Sequence, residues 1–175
     1  MRNVGKKDLA WKRLLNKAAL TGDRLGMGID SNILPVIAGL WAHGINTTGS
    51  CEGHLDHGEA YPWIRVESFP PKHWGDIQTW WVDKNKQKQL FKKNKPNLIK
   101  LHSLLVDFYV NNPTDYKKLL AVVEVNTFIA SGSLQPIETE VTRLLSKKEL
   151  FKRQKLYIAE MQRFGAFLRE KFYQS

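Results

Sequence analysis

The feature that most constrains the fold is the change of hydrophobic period along the chain. Residues 8–20, 96–110 and 147–173 carry apolar side chains at three- and four-residue steps, which predicts helices with one buried face. Residues 45–50, 61–68, 119–125 and 128–134 are short and β-branched or alternating, which predicts strands. With one more helix before residue 44, this order predicts a single α+β domain: a mainly antiparallel sheet of about four strands, covered by helices, with a long C-terminal helix.

The second helix has recognisable start and stop signals. Ser31 or Asn32 is predicted to cap it by accepting a free backbone N–H. Pro35 falls in its first turn, where the missing N–H donor costs nothing. Gly44 suits the left-handed position just past its end. The apolar positions predicted to line one face of this helix are Ile33, Val36, Ile37, Leu40 and Trp41.

Side chains of different polarity alternate along residues 61–68, so the two faces of this predicted strand are expected to have different surroundings. Ile64 and Val66 are expected on one face, and Trp63, Arg65 and Glu67 on the other. If the second face lines a pocket, Trp63 and Arg65 would stack on and bind a substrate. The alternative is that Trp63 belongs to the core and Arg65 points to solvent.

Composition limits the class of protein. The chain has 175 residues, of which 42% are hydrophobic, enough for one domain with a sizeable core. A single cysteine excludes an internal disulfide framework and suits a reducing compartment. The first ten residues contain no secretory leader, and no apolar run is long enough to span a bilayer. We therefore expect a cytoplasmic protein that does not enter a membrane.

The net charge of +10 is unevenly distributed. Residues 84–100 carry seven lysines and no acidic residue, and Trp74, Trp80 and Trp81 precede this run. Such a surface can bind nucleic acid by releasing counterions, with aromatic rings stacking on bases. A lysine-coated surface that only maintains solubility, above tryptophans packed in the core, explains the same pattern.

Reactive side chains concentrate in residues 47–58. Cys51, His54 and His57 follow one another at steps of three, with Glu52 and Asp56 between them. Thiolate, imidazole and carboxylate are ligands that zinc and other divalent transition metals accept. The sequence therefore offers Cys51, His54 and His57 as metal ligands, with zinc as the candidate cofactor.

Three metal-free alternatives stay open for the same segment. Cys51 can act as a nucleophile with His54 or His57 as its base. Glu52 or His54 can work as a general acid or base. In a purely structural interpretation, Cys51 is buried as a small hydrophobe and both histidines satisfy backbone groups in a glycine turn.

The same turn has the composition of a cradle for a small anion. Thr48 and Ser50 contribute hydroxyl groups, and Gly53 lets the backbone turn or approach a ligand closely. Arg24, in the loop before the second helix, is a candidate partner for a carboxylate or phosphate. As an alternative, Arg24 forms a surface ion pair.

Longer runs of the sequence resemble known groups. The patterns GDRLGMGID (residues 22–30), TTGSCEGHLDHG (47–58) and YPW (61–63) resemble a set of small bacterial proteins. That resemblance continues in the C-terminal helix, at Glu160, Met161, Phe164, Phe167 and Leu168. It implies a shared fold but does not imply a particular activity. The Ser50-Cys51-Glu52-Gly53 turn also resembles the one in wybutosine-synthesis methyltransferases that act on transfer RNA. His54 stands where that family has arginine, which puts a shared chemistry in doubt.

These observations leave three hypotheses for function. The first is a small enzyme that uses Cys51, Glu52 and His54 for metal-assisted or acid–base chemistry on a small anionic substrate. The second is a nucleic-acid-binding module that uses the lysines of residues 84–100. The third is an interaction protein without catalysis.

Overall fold

The described residues form four helices and four strands, which follow one another in the predicted order. The computed structural model describes residues 2–22, 27–75, 81–112, 118–139, 142 and 144–175. In chain order the elements are α1 (Arg2–Ala19), α2 (Leu34–Ala42), β1 (Thr47–Cys51), β2 (Trp63–Val66), α3 (Lys84–Asn111), β3 (Leu120–Asn126), β4 (Ser131–Pro136) and α4 (Lys147–Gln174). A short 3-10 turn, Lys72–Trp74, lies between β2 and α3.

The four strands form one antiparallel sheet in the order β1-β2-β4-β3. Ile64 of β2 lies opposite Leu134 of β4, and Val66 lies opposite Gly132. Ile64, Val66 and Leu134 are fully buried, so the alternation predicted for the second strand is confirmed. The predicted α+β class, with an antiparallel sheet and a long C-terminal helix, is confirmed as well.

The core lies between that sheet face and the helices. Phe108 of α3 and Phe164 of α4 meet in it edge to face, with ring centroids 5.3 Å apart. α2 approaches α4 closely because Gly39 has no side chain: a Cβ there would lie 2.8 Å from the Cβ of Leu168. Among the described residues, no helix is both long and apolar enough to cross a membrane.

The start of α2 differs from the prediction, whereas its end agrees. Its first flanking residue is Ile33, and no side chain caps it. The N–H groups of Ile33 and Leu34 instead donate to the backbone carbonyl of Asp30, so the predicted Ser31 or Asn32 cap is wrong. Pro35 does lie in the first turn, and Gly44 has a φ of +71° just past the end.

Helix α3 begins at Lys84, twelve residues before the predicted start at Pro96. The side chain of Asp83 caps it by accepting hydrogen bonds from the N–H groups of Asn85 and Lys86. Lysine and glutamine favour helix formation, and the burial of Leu90 anchors this first part, so the helix continues through Pro96. The prediction failed because it took this proline as a helix start.

Tyr109 ties α3 to the edge strand β3. Its hydroxyl oxygen accepts hydrogen bonds from the N–H groups of Leu119 (3.0 Å) and Leu120 (2.8 Å), where β3 begins. Burial, which disfavours the charged phenolate, is the main cause that raises the pKa of Tyr109 to about 12. The neutral phenol is therefore part of the folded state.

We expect Tyr109→Phe to lower the free energy of unfolding by about 1–3 kcal/mol, because two backbone N–H groups lose their acceptor. The effect has a pH signature. Since folding raises the pKa of Tyr109, its contribution is complete below the pKa of an unfolded tyrosine, about 10, and is lost as the pH rises towards about 12. Urea denaturation of both proteins across this range measures the difference. A difference that does not shrink at alkaline pH would contradict the assignment.

Candidate metal centre

Hydrogen bonds join the segment before α2 to the loop that leaves β1. The N–H of Glu52 donates to Asp30 Oδ2 (2.8 Å). In the other direction, Glu52 Oε2 accepts from the backbone N–H of Asn32 (3.2 Å) and from its Nδ2 (3.0 Å). The two acidic side chains are thus fixed by donors from each other's segment.

Helix α4 supports this junction from two points. Gln162 Nε2 donates to Asn32 Oδ1 (3.1 Å), and Gln154 Nε2 donates to the carbonyl oxygen of Gly53 (2.5 Å). The loop therefore rests on the long C-terminal helix as well as on the sheet. Residues far apart in the sequence determine the position of the reactive side chains.

The loop turns sharply at Gly53. This residue has a φ of +90°, and a Cβ on it would lie 2.7 Å from the carbonyl carbon of Tyr61. The N–H of His54 donates to the carbonyl oxygen of Glu59 (2.9 Å) and closes the turn. Gly58 also has a positive φ, +67°, but open space surrounds it. Of these two glycines, Gly53 alone combines a left-handed backbone with close backbone packing.

Asp30, Cys51 and His54 come together at this turn. One ligand atom from each, a carboxylate oxygen, the thiol sulfur and a ring nitrogen, lies within 4.8 Å of the other two. His54 Nε2 is 3.9 Å from Asp30 Oδ2, and both side chains are about one third exposed (31% and 30%). Two of the predicted ligands, Cys51 and His54, are therefore neighbours, and Asp30 joins them.

His57, the third predicted ligand, lies in a different group. Its ring stacks on that of His54 with centroids 4.3 Å apart and an interplanar angle of 14°. Its Nδ1 is 2.8 Å from Asp56 Oδ1, and the ligand atoms of His54, Asp56 and His57 also lie within 4.8 Å of one another. Bonds from its own backbone and from His57 lower the pKa of Asp56. His54 is therefore shared between a half-buried group with Cys51 and an exposed group with His57.

The surroundings of Cys51 favour a neutral thiol. Burial raises the pKa of Cys51, and the nearby carboxylates of Asp30, Glu52 and Glu59 raise it further. The N–H of Gly53 lies 3.3 Å from the sulfur and lowers the pKa, but by less than burial raises it. A protonated thiol is a poor nucleophile, whereas a cation bound among these groups would displace its proton. The electrostatics thus favour cation binding over nucleophilic catalysis by Cys51.

The remaining predicted site residues take other positions. Thr48 Oγ1 donates to Glu67 Oε1 (3.0 Å), so this hydroxyl is engaged within the sheet. Ser50 lies opposite Ile64, and Cys51 lies opposite Trp63, whose ring packs 3.5 Å from where a Gly49 Cβ would be. Arg65 lines a separate pocket of about 260 Å³ with Trp81. Arg24, like Trp80, falls outside the described residues.

Sequence reasoning missed the residues that assemble the site from outside the loop. Asp30 was not among the predicted site residues, Asn32 was predicted only as one of two possible helix caps, and Gln154 and Gln162 received no role. No local pattern in the sequence links Asp30 to the residues of the loop, which follow about 20 positions later in the chain.

Comparisons with family models, with curated proteins and with solved structures found no significant match to this chain. The two resemblances noted in the sequence therefore stay predictions. The case for function depends on the geometry described above.

Gly53 and Gly58 provide a matched test of this geometry. We expect Gly58→Ala to cost only the strain of a left-handed backbone, about 1–2 kcal/mol. Gly53→Ala adds a clash with the backbone of Tyr61 and should lower the free energy of unfolding by clearly more, which chemical denaturation measures. Equal losses for the two variants would show that the close approach at Gly53 is unimportant.

Proposed function

We propose that this protein binds a divalent transition metal, Zn²⁺ by preference, through Asp30, Cys51 and His54. The observation that carries the proposal is the mutual approach of their three ligand atoms to within 4.8 Å. Sulfur, imidazole nitrogen and carboxylate oxygen together form a ligand set that zinc accepts. Three carboxylates close to Cys51 support the proposal: burial is the main cause of its raised pKa, and Asp30, Glu52 and Glu59, whose charges a cation would neutralise, raise that pKa further.

The number of ligands indicates the type of zinc site. Structural zinc sites use four protein ligands, whereas catalytic sites use three and leave one position for water or substrate. Zinc lowers the pKa of such a water to about 7, which supplies a hydroxide nucleophile at neutral pH. The partial exposure of Asp30 and His54 gives a small molecule access to that position. We therefore propose metal-assisted hydrolysis of a small anionic substrate.

Three further residues have roles in this proposal. Glu52 orients the ligand Asp30 through its backbone N–H, as outer-shell partners of metal ligands commonly do. Asn32 holds the carboxylate of Glu52 in turn. His57, oriented by Asp56 and stacked on His54, has a second ring nitrogen with which to transfer protons.

Metal analysis tests the ligand set. The protein, stripped and reconstituted with Zn²⁺, should retain one ion per chain after desalting. Asp30→Asn, Cys51→Ser and His54→Ala should each lower the affinity about 100-fold or more, since even outer-shell partners contribute about 10- to 100-fold. His102→Ala, which removes an exposed histidine on α3, is the matched control. Metal content that Cys51→Ser and His54→Ala leave unchanged would overturn the proposal.

Cobalt substitution distinguishes Cys51 from His57. The Co²⁺ form should show a thiolate-to-metal charge-transfer absorption that Cys51→Ser abolishes. His57→Ala should preserve that absorption and the metal stoichiometry, because His57 does not share a ligand group with Cys51. Loss of the bound metal in His57→Ala would instead support the ligand set Cys51, His54 and His57 that the sequence alone suggested.

The hydrolytic role makes a separate prediction. The Zn²⁺ form should hydrolyse activated phosphate or carboxylate esters, and the stripped protein should not. His57→Ala should lower the rate about 10²- to 10⁴-fold, the usual contribution of a general acid or base, at unchanged metal content. An equal rate for the stripped and the loaded protein would contradict metal-assisted hydrolysis while leaving the metal site intact.

A further inference from the structure

The part of α3 that precedes Asp107 is basic and contains no acidic residue. Its segment from residue 84 to residue 106 contains seven lysines and no aspartate or glutamate. Six of these lysines are exposed, and within the described part of the chain none of the seven forms a salt bridge. The exposed lysines are Lys84, Lys88, Lys92, Lys93, Lys95 and Lys100. This part of the helix is therefore a concentrated, unneutralised positive surface.

The lysines form two rows along the helix. Lys84, Lys88, Lys92 and Lys95 follow one another at steps of four, four and three, which places them on one side of an α-helix. A second row, in which residues recur every seven positions, consists of Lys86, Lys93 and Lys100. The opposite, inward side packs Leu90, Asn94 and Leu101 into the protein. Positive charge therefore covers both flanks of the solvent-facing side.

A groove with an apolar floor lies beside the first row. Its volume is about 590 Å³, and Lys95 Nζ lies 5.5 Å from the centre of the Phe91 ring. The groove is lined by Phe91, Lys92, Lys95, Pro96, Ile99, Lys100 and Ser103. An aromatic ring and cationic side chains thus line the same groove.

The second row borders another aromatic groove of similar size, about 590 Å³. Lys93 lines it together with Lys17, Trp41 and Phe69. Lys17 Nζ lies 4.9 Å above the Trp41 ring, and the Phe69 side chain is 69% exposed. Both flanks of α3 therefore combine lysines with accessible rings.

We propose that this surface, defined as the two lysine rows of α3 with their flanking grooves, binds single-stranded nucleic acid. The lysines would contact phosphates, and Phe91, Trp41 and Phe69 would stack on bases, the combination that sequence-independent single-strand binders use. The ammonium group of lysine contacts phosphate as a point charge and lacks the planar guanidinium with which arginine makes paired hydrogen bonds. We therefore expect the binding not to depend on nucleotide sequence.

The distribution of apolar side chains favours nucleic acid over an anionic membrane. A helix that lies in a membrane surface buries a continuous apolar face between its basic residues. Along residues 84–100, which the structure describes throughout, the one exposed large hydrophobic side chain is Ile99, at 61%. A single exposed apolar side chain on the lysine-bearing part of the helix is not the continuous apolar face that insertion requires, although the charge suits either partner.

Fluorescence anisotropy with labelled oligouridylate measures the interaction directly. We expect a dissociation constant of about 10⁻⁶ to 10⁻⁴ M at physiological salt and a logarithmic affinity that falls linearly with the logarithm of the salt concentration. The triple variant Lys88→Gln, Lys92→Gln, Lys95→Gln should make that slope shallower by about 2, since each contact to a single-stranded phosphate contributes about 0.7. Circular dichroism verifies that α3 stays helical.

A second triple variant controls for overall charge. Lys147→Gln, Lys148→Gln and Lys152→Gln remove the same charge from exposed positions on α4 and should leave the slope unchanged. An equal loss in both triple variants would overturn the proposal, as would binding to phosphatidylserine vesicles without binding to the oligonucleotide. Binding to duplex that equals or exceeds binding to the single strand would refute the stacking component. None of the mutated lysines belongs to the proposed metal site, so the outcome is independent of it.

Discussion

The arrangement of the reactive loop depends on the reciprocal hydrogen bonds between the segment before α2 and residue 52. Asp30 and Glu52 are both acidic, and their carboxylates would repel each other if nothing but solvent separated them. Backbone and amide N–H donors stabilise both, and a hydrogen bond to a charged group contributes about 1.5–3 kcal/mol. The same bonds that close the junction therefore concentrate negative charge beside Cys51 and His54. The hydrogen bonds that the fold needs at this junction also place the carboxylate of the proposed cation site.

That concentration of charge determines which chemistry the cysteine can perform. Nucleophilic cysteines lie in electropositive surroundings that lower the pKa of the thiol. Around Cys51 the surroundings are the opposite, because burial and three carboxylates raise its pKa. A raised pKa does not prevent Cys51 from acting as a metal ligand, because a bound cation would supply the positive charge that stabilises the thiolate and would displace the thiol proton. The surroundings of Cys51 are negatively charged, and this favours the interpretation of Cys51 as a metal ligand. That interpretation does not require a thiol with a lowered pKa.

Hydrophobic period predicted β2 because its residues alternate, with Ile64 and Val66 buried and Trp63 and Arg65 half-buried. It failed at the start of α3, because Pro96 was given more weight than the helix-favouring residues before it. The loop could be found because Cys51, Glu52 and His54 are adjacent in sequence. Asp30 could not be found in this way, because it lies 22 residues before Glu52, to which it is hydrogen-bonded. The hydrogen bonds that Gln154 and Gln162 of α4 donate join residues that are 101 and 130 positions apart in the sequence. Such contacts depend on how α2 and α4 pack, which local patterns do not encode.

Charge is segregated on this molecule, and the segregation has a consequence for anion binding. The chain carries a net charge of +10, yet residues 47–60 contain three acids and no lysine or arginine. A phosphate or carboxylate is therefore attracted to α3 and repelled by the metal-free loop. A bound divalent cation would be the largest local charge and would reverse the potential there. Under the proposed function, an anionic substrate can thus bind at the loop only after the metal has bound. The metal would then determine where the anion binds as well as how it reacts.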